Sequence, residues 1–258
     1  MAAHINCFGQ RQQPALVMLH GFLGSQLDWQ ATVAALSEQF YCICIDLPGH
    51  GHHPPRNIDS FDDVVSALLA DLHALGVSQF HLLGYSLGGR IALDIAKRAP
   101  QQILSLHLES CHPGLIHQQD RQARAQSDAL WAQKLATLPI AEFLQLWYQQ
   151  GVFAELSEQQ RRDLVTRRSA NNPNALAQMY RATSLANQQD LMAVVDLIIG
   201  TSHFYVGDQD AKFLALGQRW QQQTQLHMHI INAAGHNAHL AQPTLFNQTL
   251  LAQLLKDA

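Results

Sequence analysis

The sequence predicts an α/β fold in which helices cover both faces of a mostly parallel sheet. Over the first third of the chain, short apolar runs alternate with longer segments of helical periodicity. The runs are apolar at nearly every position, as expected of strands that are buried on both sides. From about residue 112 to 189 the pattern is helical only, and strands return after it. We therefore predict a single domain over residues 1–258, with a helical lid inserted at about 112–189.

The first elements are predicted from apolar runs and a capping pattern. ALVMLH (15–20) and FYCICIDL (40–47) are predicted as buried strands. Ser60 is predicted to begin a helix that ends near Gly76, because Asp63 stands at the third helical position of a capping-box-like pattern. These three elements form the first half of the predicted sheet and one helix that covers it.

The later elements repeat this alternation on either side of the helical segment. They are, in order, the strand FHLLGY (80–85), a helix from Ser86 to about Ala99, the strands ILSLHLES (103–110), HFYV (203–206) and LHMHII (226–231), and a helix after Pro243.

The composition argues against several kinds of partner and cofactor. The chain has 258 residues, a net charge of −4 and a pI near 6.4, which provide no cationic surface for nucleic acid or an anionic membrane. Its 15 histidines are scattered without a recognisable ligand spacing, so no metal is predicted. Cys42 and Cys44 lie on one face of a strand, which is typical of a core and not of a disulfide. The N-terminal residues lack a signal-peptide pattern, and a cytoplasmic location is expected.

The stretch FHLLGYSLGGR (80–90) carries the main functional motif. Gly84-x-Ser86-x-Gly88 is typical of the turn from strand to helix that holds a nucleophilic serine clear of a sheet. The pattern is short enough to occur by chance, but here it stands between a predicted strand and a predicted helix. We therefore predict Ser86 as a catalytic residue.

A base and an acid follow Ser86 in the order that such serines require. GDQD follows the strand 203–206, and AAGHNAH follows the last strand, so both groups lie at the carboxyl edge of the sheet. We predict Asp210 and His236 as the partners of Ser86, with Asp208 as the alternative acid. Each could also be an ordinary turn residue, because Asp and Gly are common in turns.

Two backbone N–H groups are candidates for stabilising a developing oxyanion. Leu87 follows the serine, and Phe22 lies in HGFLGS (20–25) directly after a strand. The alternative for this second stretch is a simple strand-ending turn. IDLPGHG (45–51) is interpreted as a shaped turn and not as a source of catalytic groups.

Five stretches resemble the α/β-hydrolase superfamily, namely HGF, DLPGHG, GYSLGG, GDQDAKF and AGHNAH. A further set, GYSLGGR, HPGL, RQARAQSD, WYQQGVF and RRSANN, is similar to the 2-succinyl-6-hydroxy-2,4-cyclohexadiene-1-carboxylate synthases of menaquinone biosynthesis. The resemblance implies a lyase without a cofactor. Its triad serine would remove a proton beside a succinyl ketone, after which the enolpyruvyl group leaves as pyruvate.

The implied small-molecule substrate carries three carboxylates and should need cations in the cleft. Arg168 is the best candidate, because it shares a helical face with Leu164 and Val165, and a charge in an apolar stripe is rarely without an anion. Arg124 is a second candidate, although acidic residues four positions away on both sides also allow a surface helix pair. Arg90 stands one turn after Ser86, with a salt bridge to the residue four positions later as its alternative.

Two aromatic residues complete the predicted substrate site. Tyr85 and Trp147 are candidates for the cleft wall, and packing in a helical core is an equal alternative for Trp147. A carboxylesterase, thioesterase or C–C hydrolase with a covalent Ser86 remains the alternative enzyme, and a catalytically silent binding protein the alternative of another class. A monomer or weak homo-oligomer is expected.

Overall fold

The computed structural model describes residues 2–257. Its strands are β1 (Ile5–Phe8), β2 (Ala15–Leu19), β3 (Tyr41–Ile45), β4 (Phe80–Tyr85), β5 (Ile103–Glu109), β6 (Ser202–Gly207) and β7 (His227–Ile231). They form one sheet of order β1-β3-β2-β4-β5-β6-β7. β1 is antiparallel to β3, and the other neighbours are parallel. The mostly parallel sheet predicted from the sequence is confirmed.

Helices follow most of the strands. They are α1 (Gln30–Leu36), α2 (Phe61–Ala74), α3 (Leu87–Arg98), α4 (Gln118–Thr137), α5 (Ile140–Trp147), α6 (Glu158–Arg168), α7 (Pro173–Ala182), α8 (Ala211–Gln221), α9 (Ala238–Ala241) and α10 (Pro243–Asp257). α2 begins as predicted, because the Ser60 hydroxyl accepts the Asp63 N–H at 3.2 Å.

Alternate positions of each central strand face two separate apolar cores. Val17 and Leu19 of β2 pack with α2, α3 and α8, whereas Leu16 and Met18 pack with α1 and α10. Burial on both faces explains why the strands are apolar at every position. Cys42 and Cys44 lie together in the second core as free thiols, as predicted.

β1 was not predicted. It is a four-residue edge strand in which Ile5 is buried and Phe8 is exposed, so its pattern carries neither a long apolar run nor a clean alternation. Its antiparallel pairing with β3 covers the edge of the parallel sheet.

α4, α5, α6 and α7 lie between β5 and β6, where the sequence has only helical patterns. They form an apolar cluster of their own that includes Leu135, Phe143 and Leu164. Leu23, in the loop after β2, belongs to the same cluster and ties these helices to the sheet. Within residues 2–257, no helix combines the length and the apolar character that a membrane crossing requires.

Candidate active site

The turn from β4 to α3 holds Ser86 in a strained conformation. Ser86 has φ 51° and ψ −106°, a backbone conformation that residues other than glycine seldom adopt. A Cβ atom at Gly84 would lie 2.4 Å from the Gly88 carbonyl oxygen, and one at Gly88 would lie 2.1 Å from the Leu19 carbonyl oxygen. Both glycines are therefore required by close backbone approach, which gives the Gly-x-Ser-x-Gly pattern its physical reason.

Ser86, His236 and Asp210 form a hydrogen-bonded chain. His236 Nε2 lies 3.3 Å from Ser86 Oγ, and His236 Nδ1 lies 2.7 Å from Asp210 Oδ2. The carboxylate is held in turn by the Phe213 N–H at 3.3 Å. Because Asp210 orients the Nδ1–H tautomer, Nε2 is free to take the hydroxyl proton.

Asp208, the alternative acid, has a different partner. Its Oδ1 accepts the Ala234 N–H at 3.2 Å and so fastens the loop that leads to His236. The main-chain N–H of His236 donates to Glu155 Oε1 at 3.2 Å, which adds a second restraint from outside the sheet. Of the two acids that the sequence left open, only Asp210 contacts the imidazole.

Both predicted oxyanion donors stand beside the serine at the carboxyl edge of the sheet. Leu87 is the first residue of α3, so its N–H has no intrahelical acceptor, and Phe22 follows β2. Within residues 2–257 neither N–H donates a hydrogen bond, whereas the Ser86 N–H donates to the Glu109 carbonyl oxygen at 2.8 Å. The two N–H groups are thus available to an oxygen of a ligand.

Two buried histidines shape the loop that carries Phe22. His20 Nε2 accepts the Leu47 N–H at 2.9 Å, and His50 Nε2 accepts the Leu23 N–H at 3.1 Å. Burial lowers the pKa of His20 to about 4 and that of His50 to about 3, so both rings are neutral acceptors. The sequence predicted a donor at Phe22 and a shaped turn at 45–51, but not these histidine contacts, because they join residues that are far apart in the chain.

A cavity of about 310 Å³ opens in front of Ser86. Its wall carries three cationic side chains, Arg90, Arg124 and Lys212, together with His236 and several aromatic rings. Lys212 was not predicted, since a lysine after a strand end is common at a surface. The cavity thus holds the Ser86 side chain and three cationic side chains together.

Arg90 is fixed in this wall by neutral groups. Its Nη1 donates to the Thr183 carbonyl oxygen at 2.8 Å and to Gln188 Oε1 at 3.3 Å. Asp94, the alternative salt-bridge partner, is not among its contacts within residues 2–257. Burial lowers the pKa of Arg90 to about 10, so the group remains a cation at neutral pH.

Arg124 does form the predicted helical pair, but inside the cavity wall and not on an open surface. Its Nε donates to Asp128 Oδ1 at 2.7 Å, and Asp128 is only 5% exposed. The same carboxylate accepts the Tyr180 hydroxyl at 2.8 Å and the Ser184 hydroxyl at 2.6 Å. Asp128 is therefore a fixed anchor, and the spacing of residues in the sequence could not distinguish it from a partner on the surface.

Arg168 has an anionic partner in the folded chain, and its contact with a substrate carboxylate stays a prediction. The sequence predicted that the anion beside it would be a substrate carboxylate, but Arg168 Nη2 donates to Asp28 Oδ1 at 2.6 Å, and both side chains are buried. The two residues line a second cavity of about 140 Å³ that does not include Ser86. The buried charge in the apolar stripe is thus balanced by a carboxylate of the chain itself.

The two predicted aromatic residues occupy different parts of the site. Trp147 lines both cavities and contacts Phe22 with ring centroids 5.2 Å apart. Tyr85 lines the second cavity, and its ring centroid lies 5.5 Å from that of His236. Trp147 therefore faces the space in front of the serine, whereas Tyr85 lies to one side of the triad.

The fold and the triad geometry define an α/β hydrolase, and the chain belongs to the alpha/beta hydrolase family, whose model matches residues 16–249. The chain is also 41% identical over 251 residues to the 2-succinyl-6-hydroxy-2,4-cyclohexadiene-1-carboxylate synthase of Salmonella typhimurium, with 96% of each chain covered. It is 40% identical over 248 residues to the same synthase of Escherichia coli O1:K1, again with 96% of each covered. Within the alpha/beta hydrolases, the chain belongs to the family of these synthases.

Solved structures agree on the fold. MenH from S. aureus superposes with a TM-score of 0.91 at 24% identity, covering 99% of both chains. An enol-lactonase from Burkholderia xenovorans LB400 superposes with a TM-score of 0.80 at 19% identity, covering 98% of this chain and 96% of that one.

Proposed function

We propose that the chain is a carbon–oxygen lyase of menaquinone biosynthesis. It would eliminate pyruvate from 2-succinyl-5-enolpyruvyl-6-hydroxy-3-cyclohexene-1-carboxylate to give 2-succinyl-6-hydroxy-2,4-cyclohexadiene-1-carboxylate. The observation that carries the proposal is the cavity in which Ser86 faces Arg90, Arg124 and Lys212. Three cations match a substrate with three carboxylates, and a neutral ester would not need them.

Ser86 acts in this proposal as a base. Asp210 holds His236 so that Nε2 takes the hydroxyl proton as Ser86 Oγ removes the ring proton beside the succinyl ketone. The electron pair moves toward the ketone oxygen, giving an enolate that the Leu87 and Phe22 N–H groups stabilise. One such donor is worth about 3 kcal/mol in acyl-transfer enzymes.

The second step completes the elimination. The enolate electrons return to the ring and form a new double bond, the existing double bond shifts by one position, and the C–O bond to the enolpyruvyl group breaks. The departing enolate of pyruvate takes up a proton and becomes pyruvate. The reaction consists of a proton transfer, which the triad can catalyse, and an elimination, in which the cations can stabilise the departing anion.

The helical segment supplies part of the proposed binding wall. Arg124 belongs to α4 and Trp147 to α5, so we interpret α4–α7 as a lid over the triad. In this arrangement the lid places Arg124 over the substrate and excludes water from the enolate. The cytoplasmic location and the monomeric or weakly homo-oligomeric state remain predictions.

The direct experiment is to incubate the purified chain with the enolpyruvyl substrate and to measure pyruvate release with lactate dehydrogenase. Arg124→Ala should lower kcat/KM by roughly 10-fold or more, because a hydrogen bond to a charged group is worth about 1.5–3 kcal/mol. Arg162→Ala is the matched control, since that arginine lies on the exposed face of α6. No pyruvate release, or equal effects of the two substitutions, would contradict the proposal.

Rapid-quench mass spectrometry separates the lyase from a hydrolase. Acyl transfer through Ser86 would leave a covalent adduct and a burst of product, whereas proton removal leaves neither. A kinetically competent adduct on Ser86 would favour the covalent alternative.

A further inference from the structure

A second cluster of polar side chains lies apart from the triad, where three segments of the chain meet. His4 stands just before β1, His53 lies in the loop after β3, and Asp71 is in α2. One nitrogen or oxygen atom from each lies within 4.8 Å of the others. His4 and His53 are buried, and Asp71 is half-buried.

His53, one member of this cluster, has an unused ring nitrogen. Its Nδ1 lies 2.7 Å from the Pro54 carbonyl oxygen, which fixes the ring proton on Nδ1. Its Nε2 is buried and has no hydrogen-bond partner within residues 2–257. A buried acceptor without a partner destabilises a folded protein. Metal-binding histidines commonly have this arrangement, in which one ring nitrogen donates its hydrogen to a carbonyl oxygen and the other nitrogen has a free lone pair.

His4 and Asp71 already stand at a spacing that suits a shared metal ion. His4 Nε2 lies 3.0 Å from Asp71 Oδ2. Two ligand atoms of a tetrahedral zinc ion, each about 2.0 Å from the metal, are roughly 3.3 Å apart. The other oxygen of Asp71 accepts from Arg56 Nη2 at 3.3 Å, so this carboxylate has the outer hydrogen bond that metal-binding carboxylates commonly have.

We propose that His4, His53 and Asp71 bind a divalent transition-metal ion of the zinc class. Two imidazoles and one carboxylate suit Zn²⁺ better than the hard ions Mg²⁺ and Ca²⁺, which prefer oxygen ligands. A water molecule would complete the four-coordinate shell. The ion would tie the segment before β1 and the loop after β3 to α2, so its role is structural. The sequence pattern predicted no metal because the three ligands lie far apart in the chain.

Calorimetric titration of the full, untagged chain with ZnCl₂ after treatment with a chelator tests the site. We expect one equivalent of bound Zn²⁺, and a Tm that rises by roughly 5 °C or more at a hundredfold excess over Kd. His53→Gln and Asp71→Asn should each weaken binding at least about tenfold. His52→Gln is the matched control, because His52 is the exposed neighbour and should leave Kd unchanged.

Binding that is unaffected by His53→Gln and Asp71→Asn, or equally weakened by His52→Gln, would overturn the proposal. A second measurement, the visible spectrum of the Co²⁺ complex, uses the unsubstituted chain and therefore tests the site even if the variants fail to fold. Its Co²⁺ complex should show the intense visible absorption of four-coordinate cobalt, and the weak spectrum of six-coordinate cobalt would also overturn the site.

Discussion

His236 lies between Asp210 and Ser86, so each member of the triad depends on the other two. Ser86→Ala removes one oxygen from a turn whose shape is set by the backbone, and it should abolish most pyruvate release while leaving Tm nearly unchanged. His236→Ala should be similarly damaging, and the double variant little worse than either single one, because groups that act as a unit are not additive. Steady-state kinetics of the three variants measures this. Fully additive losses would count against a coupled pair.

Asp128 accepts hydrogen bonds from Arg124, Tyr180 and Ser184, and so decides where the Arg124 guanidinium lies. Asp128→Asn keeps the shape of the side chain but removes the charge that holds Arg124. We expect KM for the anionic substrate to rise roughly 10-fold with a smaller change in kcat, because under the proposed function Arg124 binds a substrate carboxylate and Asp128 positions Arg124. Asp120→Asn, an exposed acid on the same helix, is the control in the same assay. A fall in kcat with unchanged KM would show that Asp128 does not act by positioning Arg124.

The Arg168–Asp28 pair makes a stability prediction. Burial raises the pKa of Asp28, but the Arg168 charge and hydrogen bond, together with the nearby His20 and His239, outweigh burial and hold that pKa below its usual value. Arg168→Ala would leave the Asp28 charge buried and unpaired, and should lower the free energy of unfolding by about 3–5 kcal/mol. Arg167→Ala, exposed and one residue away, should cost less than about 1 kcal/mol. Urea unfolding of both variants measures the difference, and the double variant Arg168→Ala, Asp28→Ala should recover part of the loss.

At the scale of elements, the close contact between α3 and β2 determines the position of Ser86 relative to the sheet. Gly88 lies against the Leu19 carbonyl oxygen, and a Cβ atom there would be 2.1 Å away. Gly88→Ala must therefore push α3 away from β2, at a cost of about 1–3 kcal/mol, and it should also displace Ser86 and remove most activity. Gly151→Ala is the control, because an added Cβ at Gly151 would meet no atom within 4 Å. Thermal unfolding and pyruvate release of both variants test this, and a fully active, stable Gly88→Ala variant would contradict the close approach.

The sequence predicted those elements whose patterns are local. The apolar runs of β2 to β6 and the Ser60 cap of α2 are each contained in a few consecutive residues, and they fold as predicted. β1 was missed because a short edge strand has little apolar patterning to detect. The members of the triad could be predicted because this fold places the serine, the acid and the histidine in that order along the chain, each after the end of a strand.

What the sequence could not predict depends on contacts between distant segments. Arg168 and Asp28 are 140 residues apart, and the pattern showed that the arginine needs an anion without showing which one. Asp128 had the spacing of a helical surface pair, and only the packing of α7 against α4 makes it a buried anchor. The role of the histidines that hold the loop of Phe22 could not be predicted either, because each ring and the N–H group that it accepts belong to different turns.

Across the whole molecule, several histidines are neutral rings that are buried or half-buried. Burial lowers the pKa of His20, His81 and His112 to about 4 each. His50, at about 3, joins His20 in holding the loops beside the triad. Protonation of these rings is therefore coupled to unfolding of the whole chain.

Stability should fall as the pH is lowered from about 6.5, the pKa of an unfolded histidine. Above that pH these rings are neutral in both the folded and the unfolded state. Below it the unfolded chain binds protons on these histidines and the folded chain does not. For His50 this difference persists down to about pH 3, the pKa of His50 in the folded state. The cost of each such histidine grows as the pH falls and approaches about 1.4 kcal/mol per pH unit roughly one unit below the pKa of the unfolded histidine. Asp94 works in the opposite direction, because burial raises its pKa to about 6 and the folded state then holds the extra proton.

The test is to compare the unsubstituted chain with His50→Gln, in which Asp94 and all the other groups are the same. The glutamine amide oxygen can accept the Leu23 N–H in place of the ring and has no proton to gain. Urea unfolding at several pH values between about 7 and 5 should give a slope of stability against pH that is shallower by about 1 kcal/mol per unit, averaged over this range, in the variant. Equal slopes would mean that His50 takes up its proton in the folded state as readily as in the unfolded one, and that the loop beside Phe22 does not need a neutral ring.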